Sequence, residues 1–193
     1  DAQGIDKIQK YASLFGLDQK SGVEIEEMDP HVSDTDAVRS SIGQGTNNYA
    51  PVQLARYVTT IANEGNCYDL TLVNEIKNID GRTVYKSDNV PKNTVDLTDS
   101  QWAVIKQGMR QMVSEHTSPS ALINQINVNV AGKTGTAEED TTRPDHALFV
   151  SFAPYENPEV SVTCVIPHGY TSGNAEELAG MDFIREVLGS VPT

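Results

Sequence analysis

Lys133, Thr134 and Gly135 stand in one run, followed by Thr136 and Ala137, and this stretch is the best equipped for chemistry. A lysine fixed on a cleft-edge strand offers a cation for a substrate carboxylate or for proton transfer. The hydroxyls of Thr134 and Thr136 can hydrogen-bond the same carboxylate. Gly135 removes a side chain, so a ligand can approach and the exposed backbone can pair with an extended peptide. Alone, the Lys-Thr-Gly triplet is expected by chance in roughly one chain in twenty of this length. An ordinary edge strand guarded by a lysine fits it equally well.

The other reactive residue types form no comparable constellation. His146 sits at the start of a strand pattern and reads as structural, while His31, His116 and His168 are scattered through loops with no Ser-His-Asp arrangement. Cys67 and Cys164 lack C-x-x-C spacing and a nearby His cluster, so neither a disulfide framework nor a zinc site is expected. Cys164 lies in Val160-Ser-Val-Thr-Cys-Val-Ile166 and reads as a strand residue turned inward. The acidic runs Glu24 to Glu27 and Glu138 to Asp140 lack the loop spacing of a calcium site. Gly43-Gln44-Gly45 lacks the G-K-[ST] and preceding apolar strand of a phosphate loop. No metal, nucleotide or organic cofactor is implied.

The elements that must position the Lys133 strand follow from periodicity. Ile5, Ile8, Ala12 and Phe15 recur at helical spacing before Gly16, predicting a helix over about 4–15. Gly22-Val-Glu-Ile25 reads as a short extended piece, and Ser40 to Asn48 as a Gly-rich polar loop. Pro51 suits the first turn of a helix with Val52, Ala55, Val58, Ile61 and Ala62 on its apolar face and Gly65 at its end. Leu70 to Lys86 reads as two strands around Asp80-Gly81. Thr98-Asp-Ser-Gln101 is a capping box, opening a helix with Trp102, Ile105, Met109 and Met112 or Val113 inward. Asn127 to Val130 alternates and runs into the Lys133 segment. Ala147 to Ala153 and Val160 to Ile166 predict an antiparallel pair, and Ala175 to Leu188 a closing helix. The organisation is α+β, an antiparallel sheet flanked by helices in one domain-sized unit.

Three blocks in order give the triplet a context. Gly43-Gln-Gly-Thr-Asn-Asn-Tyr-Ala-Pro-Val-Gln-Leu-Ala-Arg-Tyr57 resembles the G-Q-G…T-P-x-Q-L-A segment of class B penicillin-binding proteins, with Ala50 where those proteins often have Thr. Lys133 to Glu138 matches their K-[ST]-G-T-A-[EQ] segment, and Asp145 to Pro158 resembles the strand and turn that follow. K-T-G is one of the signature motifs of penicillin-binding proteins, beside S-x-x-K and S-x-N. The likeness is greatest to the elongation-type penicillin-binding protein 2 group, sporulation relatives included. It implies a partial penicillin-binding transpeptidase fold. It also implies a D,D-transpeptidase acting on peptidoglycan stem peptides, acylated by β-lactams at the same serine, at the extracytoplasmic face of the bacterial membrane. By this resemblance Lys133, Thr134, Gly135 and Thr136 belong to the active-site strand. The Thr136 N–H would be an oxyanion-hole donor, and the Thr134 and Thr136 hydroxyls would hold the substrate carboxylate. Glu138, often Gln in relatives, lies farther along.

The nucleophile is not among these residues. No serine in the chain has a lysine three positions later, so the family's S-x-x-K pair is expected upstream of Asp1, and its S-x-N as well. Ser87-Asp88-Asn89 matches S-x-N literally but follows a hairpin that the family uses away from the cleft. Ser172-Gly173-Asn174 falls after the Lys-Thr-Gly strand, in the wrong order. Both are set aside. The expectation is the C-terminal portion of one transpeptidase domain, inactive alone, able to associate with the missing N-terminal part or with itself. A β-lactam sensor or non-catalytic penicillin-binding module, and a serine β-lactamase, are the alternatives that upstream sequence separates.

Composition sets the outer bounds. The 193 residues are 38% hydrophobic, enough for one core, and 27 acidic against 14 basic residues give a net charge of −13. Such a surface argues against nucleic-acid binding and against a polybasic membrane patch. No run approaches the roughly 18 apolar residues of a membrane span.

Overall fold

The computed structural model describes residues 2–115, 127–139, 141–171 and 175. Among these residues the elements run in the order α1 (Ala2–Leu14), α2 (Ala37–Ser41), α3 (Pro51–Ala62), β1 (Asn66–Cys67), β2 (Glu75–Lys77), β3 (Thr83–Lys86), β4 (Asn93–Thr94), α4 (Asp99–Glu115), β5 (Ala131–Ala137), β6 (His146–Ala153) and β7 (Val160–Ile166). No helix among the described residues is long and apolar enough to cross a membrane. The predicted closing helix and Ser172 to Asn174 lie outside the described residues, apart from Ala175.

The centre is an antiparallel sheet in the order β5-β6-β7. Directly opposed residues put their side chains on the same face, so the register divides the sheet. Ala147, Phe149 and Ala153 face one way, beside Val160, Val162, Cys164 and Ile166 of β7, and pack against Val113 and Met112 of α4. Val150 and Phe152 face the other way, with Ala131 of β5, and meet Val58 and Ile61 of α3 and Met109 of α4. Thr59 Oγ1 and Ser161 Oγ, 2.8 Å apart, tie α3 to β7.

Phe149 is fully buried, and its ring lies over Gly132 of the neighbouring strand. A Cβ on Gly132 would fall 2.6 Å from Phe149 Cζ. Removing such a ring altogether typically costs about 3–5 kcal/mol. Gly132 is therefore demanded by packing.

The helices end and begin largely as their sequences require. Gly16, at φ 76°, closes the turn after α1, donating to Ser13 O at 2.9 Å. Thr98 and Gln101 form the predicted capping box, with Thr98 N–H donating to Gln101 Oε1 at 2.9 Å. Only half a box opens α3: Ala50 N–H donates to Gln53 Oε1 at 2.8 Å, and Ala50 has no side-chain oxygen to return the bond.

Several expectations need correction. Gly22–Ile25 forms no strand; the chain instead wraps the Glu27 carboxylate, which accepts from Ser21 N–H at 2.9 Å and from Ser21 Oγ at 2.9 Å. The buried face of α3 includes Gln53 and Arg56 beside Val58, Thr60 and Ile61, while Val52 and Ala55 are only half-buried. The Arg56 guanidinium accounts for part of this. It donates to the carbonyls of Gly16 and Gln19 and pairs with Asp69 at 3.1 Å, clamping the exit of α1. On α4, Trp102, Met109 and Val113 are buried, but Ile105 is 36% exposed. The Asp80-Gly81 hairpin is shorter than predicted, and both its strands are exposed.

Candidate active-site strand and its cleft

Among the described residues β5 has a partner on one side only, which leaves its other edge open. Two hydrogen bonds reveal which backbone groups that edge presents. Gln44 Nε2 donates to Thr136 O at 3.2 Å, and Lys133 Nζ donates to Thr134 O at 2.6 Å. In a strand the N–H and C=O of one residue point the same way, and residues two apart share that direction. Thr134 and Thr136 therefore turn their backbone N–H groups to the open edge, while Lys133 and Gly135 turn theirs to β6.

The side chains divide differently. Thr134 opposes Phe149 and Thr136 opposes Ala147, so both threonines share the face of those residues. Lys133 opposes Val150 and Gly135 opposes Leu148, on the other face. The lysine and the two hydroxyls thus flank the open edge from opposite sides. Lys133 is exposed, and its ammonium reaches its own strand's edge at Thr134 O. A Cβ on Gly135 would meet only Leu148 Cβ, at 3.5 Å, an ordinary contact. Unlike Gly132, Gly135 is not required by packing.

Gln44 reaches the strand because the loop before α3 is built to project it. Gly43 and Gly45 on either side have φ of 82° and 92°, left-handed conformations that favour glycine. A buried serine pair anchors the loop: Ser40 Oγ donates to Ser33 Oγ at 2.7 Å, and a Cβ on Gly45 would come within 3.0 Å of both oxygens. Asn47 adds a second anchor, donating to Gln44 O at 3.0 Å and accepting from Ser33 N–H at 2.9 Å and Tyr49 Oη at 2.8 Å. Burial pushes the Tyr49 phenol up to about 12, with a smaller contribution from the neighbouring Tyr57.

An open cleft of about 760 Å³ continues from this contact, lined by Asp36, Arg39, Gln44, Thr46, Glu138 and Glu139 among others. Ser87, Asp88 and Asn89 do not line it; they follow the exposed hairpin, where Ser87 N–H donates to Asn74 O at 2.9 Å. Sequence reading passed over Gln44 as a contact to β5, because its partner lies 92 residues away. It also missed a convergence at the far end of β5. Glu139, His146 and His168 come together there, and His146 opposes Ala137, the last residue of the strand. Nothing in the spacing of these three residues advertises that grouping; the β6–β7 return creates it.

The fold is α+β, with an open sheet edge that carries Lys-Thr-Gly-Thr, is backed by a helix and is capped by a glycine-flanked glutamine. The chain matches the penicillin binding protein transpeptidase domain over residues 1–184, and it belongs to that family. Penicillin-binding protein 2A of Bacillus subtilis (strain 168) is 28% identical over 207 residues, covering 97% of this chain and 29% of the relative. The peptidoglycan D,D-transpeptidase PbpA of Mycolicibacterium smegmatis is 31% identical over 174 residues, covering 86% of this chain and 35% of the relative. Among solved structures, penicillin-binding protein 2B from Streptococcus pneumoniae (strain 5204) superposes with a TM-score of 0.78 at 29% identity, covering 98% of this chain and 32% of that one. Penicillin-binding protein A from M. tuberculosis, as an imipenem acyl-enzyme complex, gives a TM-score of 0.77 at 25% identity, covering 90% of this chain and 40% of that one. The chain thus spans less than a third of the B. subtilis relative's length. Its α+β architecture is a partial penicillin-binding transpeptidase fold.

Proposed function

We propose that this chain is the C-terminal portion of a D,D-transpeptidase domain and supplies the substrate-binding wall of its active site. The observation that carries the reading is the open edge of β5, with the Thr134 and Thr136 N–H groups facing outward and Gln44 fixed on Thr136 O. The Thr136 N–H is an oxyanion-hole donor for the tetrahedral intermediate. The Thr134 and Thr136 hydroxyls hold the terminal carboxylate of a stem peptide or a β-lactam from one face. Lys133, on the other face, supplies positive charge and serves proton transfer at the nucleophile. Gly135 keeps the approach clear.

The serine and its lysine come from a segment preceding these residues, since no serine here has a lysine three positions on. An apolar cleft of about 510 Å³ between α1 and α3, lined by Ile8, Tyr11, Phe15, Leu54 and Tyr57, supports further chain packing there. A peptidoglycan substrate goes with a reaction on the extracytoplasmic side of the membrane, and we propose that location. The relative from M. tuberculosis forms an imipenem acyl-enzyme, which supports β-lactams as ligands of the whole domain.

The test is labelling with a fluorescent penicillin. The protein that includes the upstream segment is labelled, and the label is lost with Thr136→Pro, which removes the oxyanion donor. The 193-residue chain alone is not labelled. Covalent labelling of the chain alone would overturn the assignment of the nucleophile.

A further inference from the structure

We propose that Glu139, His146 and His168 form a divalent transition-metal site, with zinc as its natural occupant, at the end of β5. One ligand atom from each residue lies within 4.8 Å of the other two. The Glu139 Oε2 to His146 Nε2 separation is 3.3 Å. Zinc bonds of about 2.0–2.2 Å in a tetrahedron put ligands roughly 3.3–3.6 Å apart, so this pair already stands at an edge of the polyhedron. The exposed Glu139 side chain and the His168 turn have only a small closure left to make.

The surrounding hydrogen bonds prepare the site unevenly. His168 Nδ1 is 3.0 Å from Pro144 O, a carbonyl that can only accept. His168 therefore carries its proton on Nδ1, oriented by a backbone carbonyl, which leaves the Nε2 lone pair bare as in many metal-ligating histidines. The two imidazoles lie 4.8 Å apart between centroids, tilted by 41°. His146 Nδ1 accepts the His168 backbone N–H at 3.1 Å, so without metal its proton sits on Nε2, toward Glu139. A metal takes that proton's place. The ring's single N–H proton must then move from Nε2 to Nδ1, which gives up the bond from the His168 N–H and holds the affinity below that of a fully prepared site. Two histidines and one carboxylate satisfy three positions of a tetrahedral zinc, and water completes it. The donor set selects zinc over calcium or magnesium, which prefer oxygen ligands.

Such an ion would pin three separated pieces together: the exit of β5, the start of β6 and the turn after β7. It would also border the cleft, since Glu139 lines it. The site lies beyond the carboxylate-binding positions proposed for Thr134 and Thr136 and does not depend on that reading.

Titration of the chain with zinc alone, followed by calorimetry, tests the proposal, with cobalt absorption as a second readout. Wild type binds one zinc ion, and cobalt gives tetrahedral d–d bands. Glu139→Ala and His168→Asn each weaken binding by at least about tenfold; asparagine tolerates the left-handed φ of 55° at position 168 and so preserves the turn. Cys164→Ser leaves binding unchanged. Should the isolated chain fail to melt cooperatively, the same titrations are run on the transpeptidase domain that contains it. A folded wild type that binds no zinc overturns the proposal, as does binding that survives Glu139→Ala and His168→Asn or is lost in Cys164→Ser.

Discussion

The side-chain amide of Gln44 rests 3.2 Å from the carbonyl oxygen of Thr136, joining two segments 92 residues apart. This bond ties the glycine-flanked loop to the Lys-Thr-Gly strand beside the cleft. A neutral hydrogen bond of this kind contributes about 0.5–1.5 kcal/mol.

Gln44→Ala is expected to slow acylation by a penicillin about two- to tenfold in the domain containing this chain, the rate equivalent of that energy. Global stability should change little, because the bond is exposed. Stopped-flow acylation beside a denaturant melt separates the two effects. A large loss of stability with unchanged acylation would make Gln44 a structural strut only.

The two strand glycines should behave oppositely. Gly132→Ala forces the Phe149 ring aside and is expected to cost about 1–3 kcal/mol. Gly135→Ala meets only an ordinary contact with Leu148 and, by removing glycine's backbone freedom, should leave stability unchanged or raise it by up to about 1 kcal/mol. Its penicillin acylation should nonetheless fall, since the new methyl group sits where a ligand approaches. Equal destabilisation by both substitutions in a urea melt would remove the functional reading of Gly135.

Ala50→Thr completes the half-formed capping box at the start of α3. Ala50 already has the extended backbone of an N-cap, at φ −69° and ψ 148°, and Gln53 already returns its half of the interaction. A gain of about 0.5–2 kcal/mol in unfolding free energy is expected, read as a higher denaturant midpoint at constant slope.

Tyr49 links the loop to alkaline pH. Its phenol is held protonated by burial, up to about 12, while an unfolded tyrosine titrates near about 10. Between those values the unfolded chain has released a proton that the folded chain retains. The stability contributed by Tyr49 is therefore complete below about pH 10 and is lost as the pH rises toward 12. Denaturant midpoints of Tyr49→Phe should fall less than those of wild type across this window, and the tyrosinate absorbance of wild type should show one late-titrating group that the variant lacks.

The strands with strong local patterns were legible in the sequence. Ala147 to Ala153 and Val160 to Ile166 emerge as an antiparallel pair, and Thr98-Gln101 as a capping box, because each signal is local. The burial of Gln53 and Arg56 was not legible. Those polar side chains face inward to serve carbonyls at Met28, Gly16 and Gln19, partners that no periodicity predicts. The Lys133 segment was recognised as a strand, but not the split of its side chains between two faces, which only the register with β6 decides. The Glu139, His146 and His168 cluster escaped for the same reason: its members meet through sheet topology rather than spacing.

The open edge of β5 is also a ruler. Toward the start of the strand the next outward-facing residue, Gly132, is buried, and at the far end Gln44 occupies the Thr136 carbonyl. What lies between is the length of two residues, about 6.8 Å at 3.4 Å per residue. Along that length the Thr134 carbonyl already accepts from Lys133 Nζ and the Thr136 carbonyl from Gln44, so the edge is short and offers N–H donors rather than acceptors.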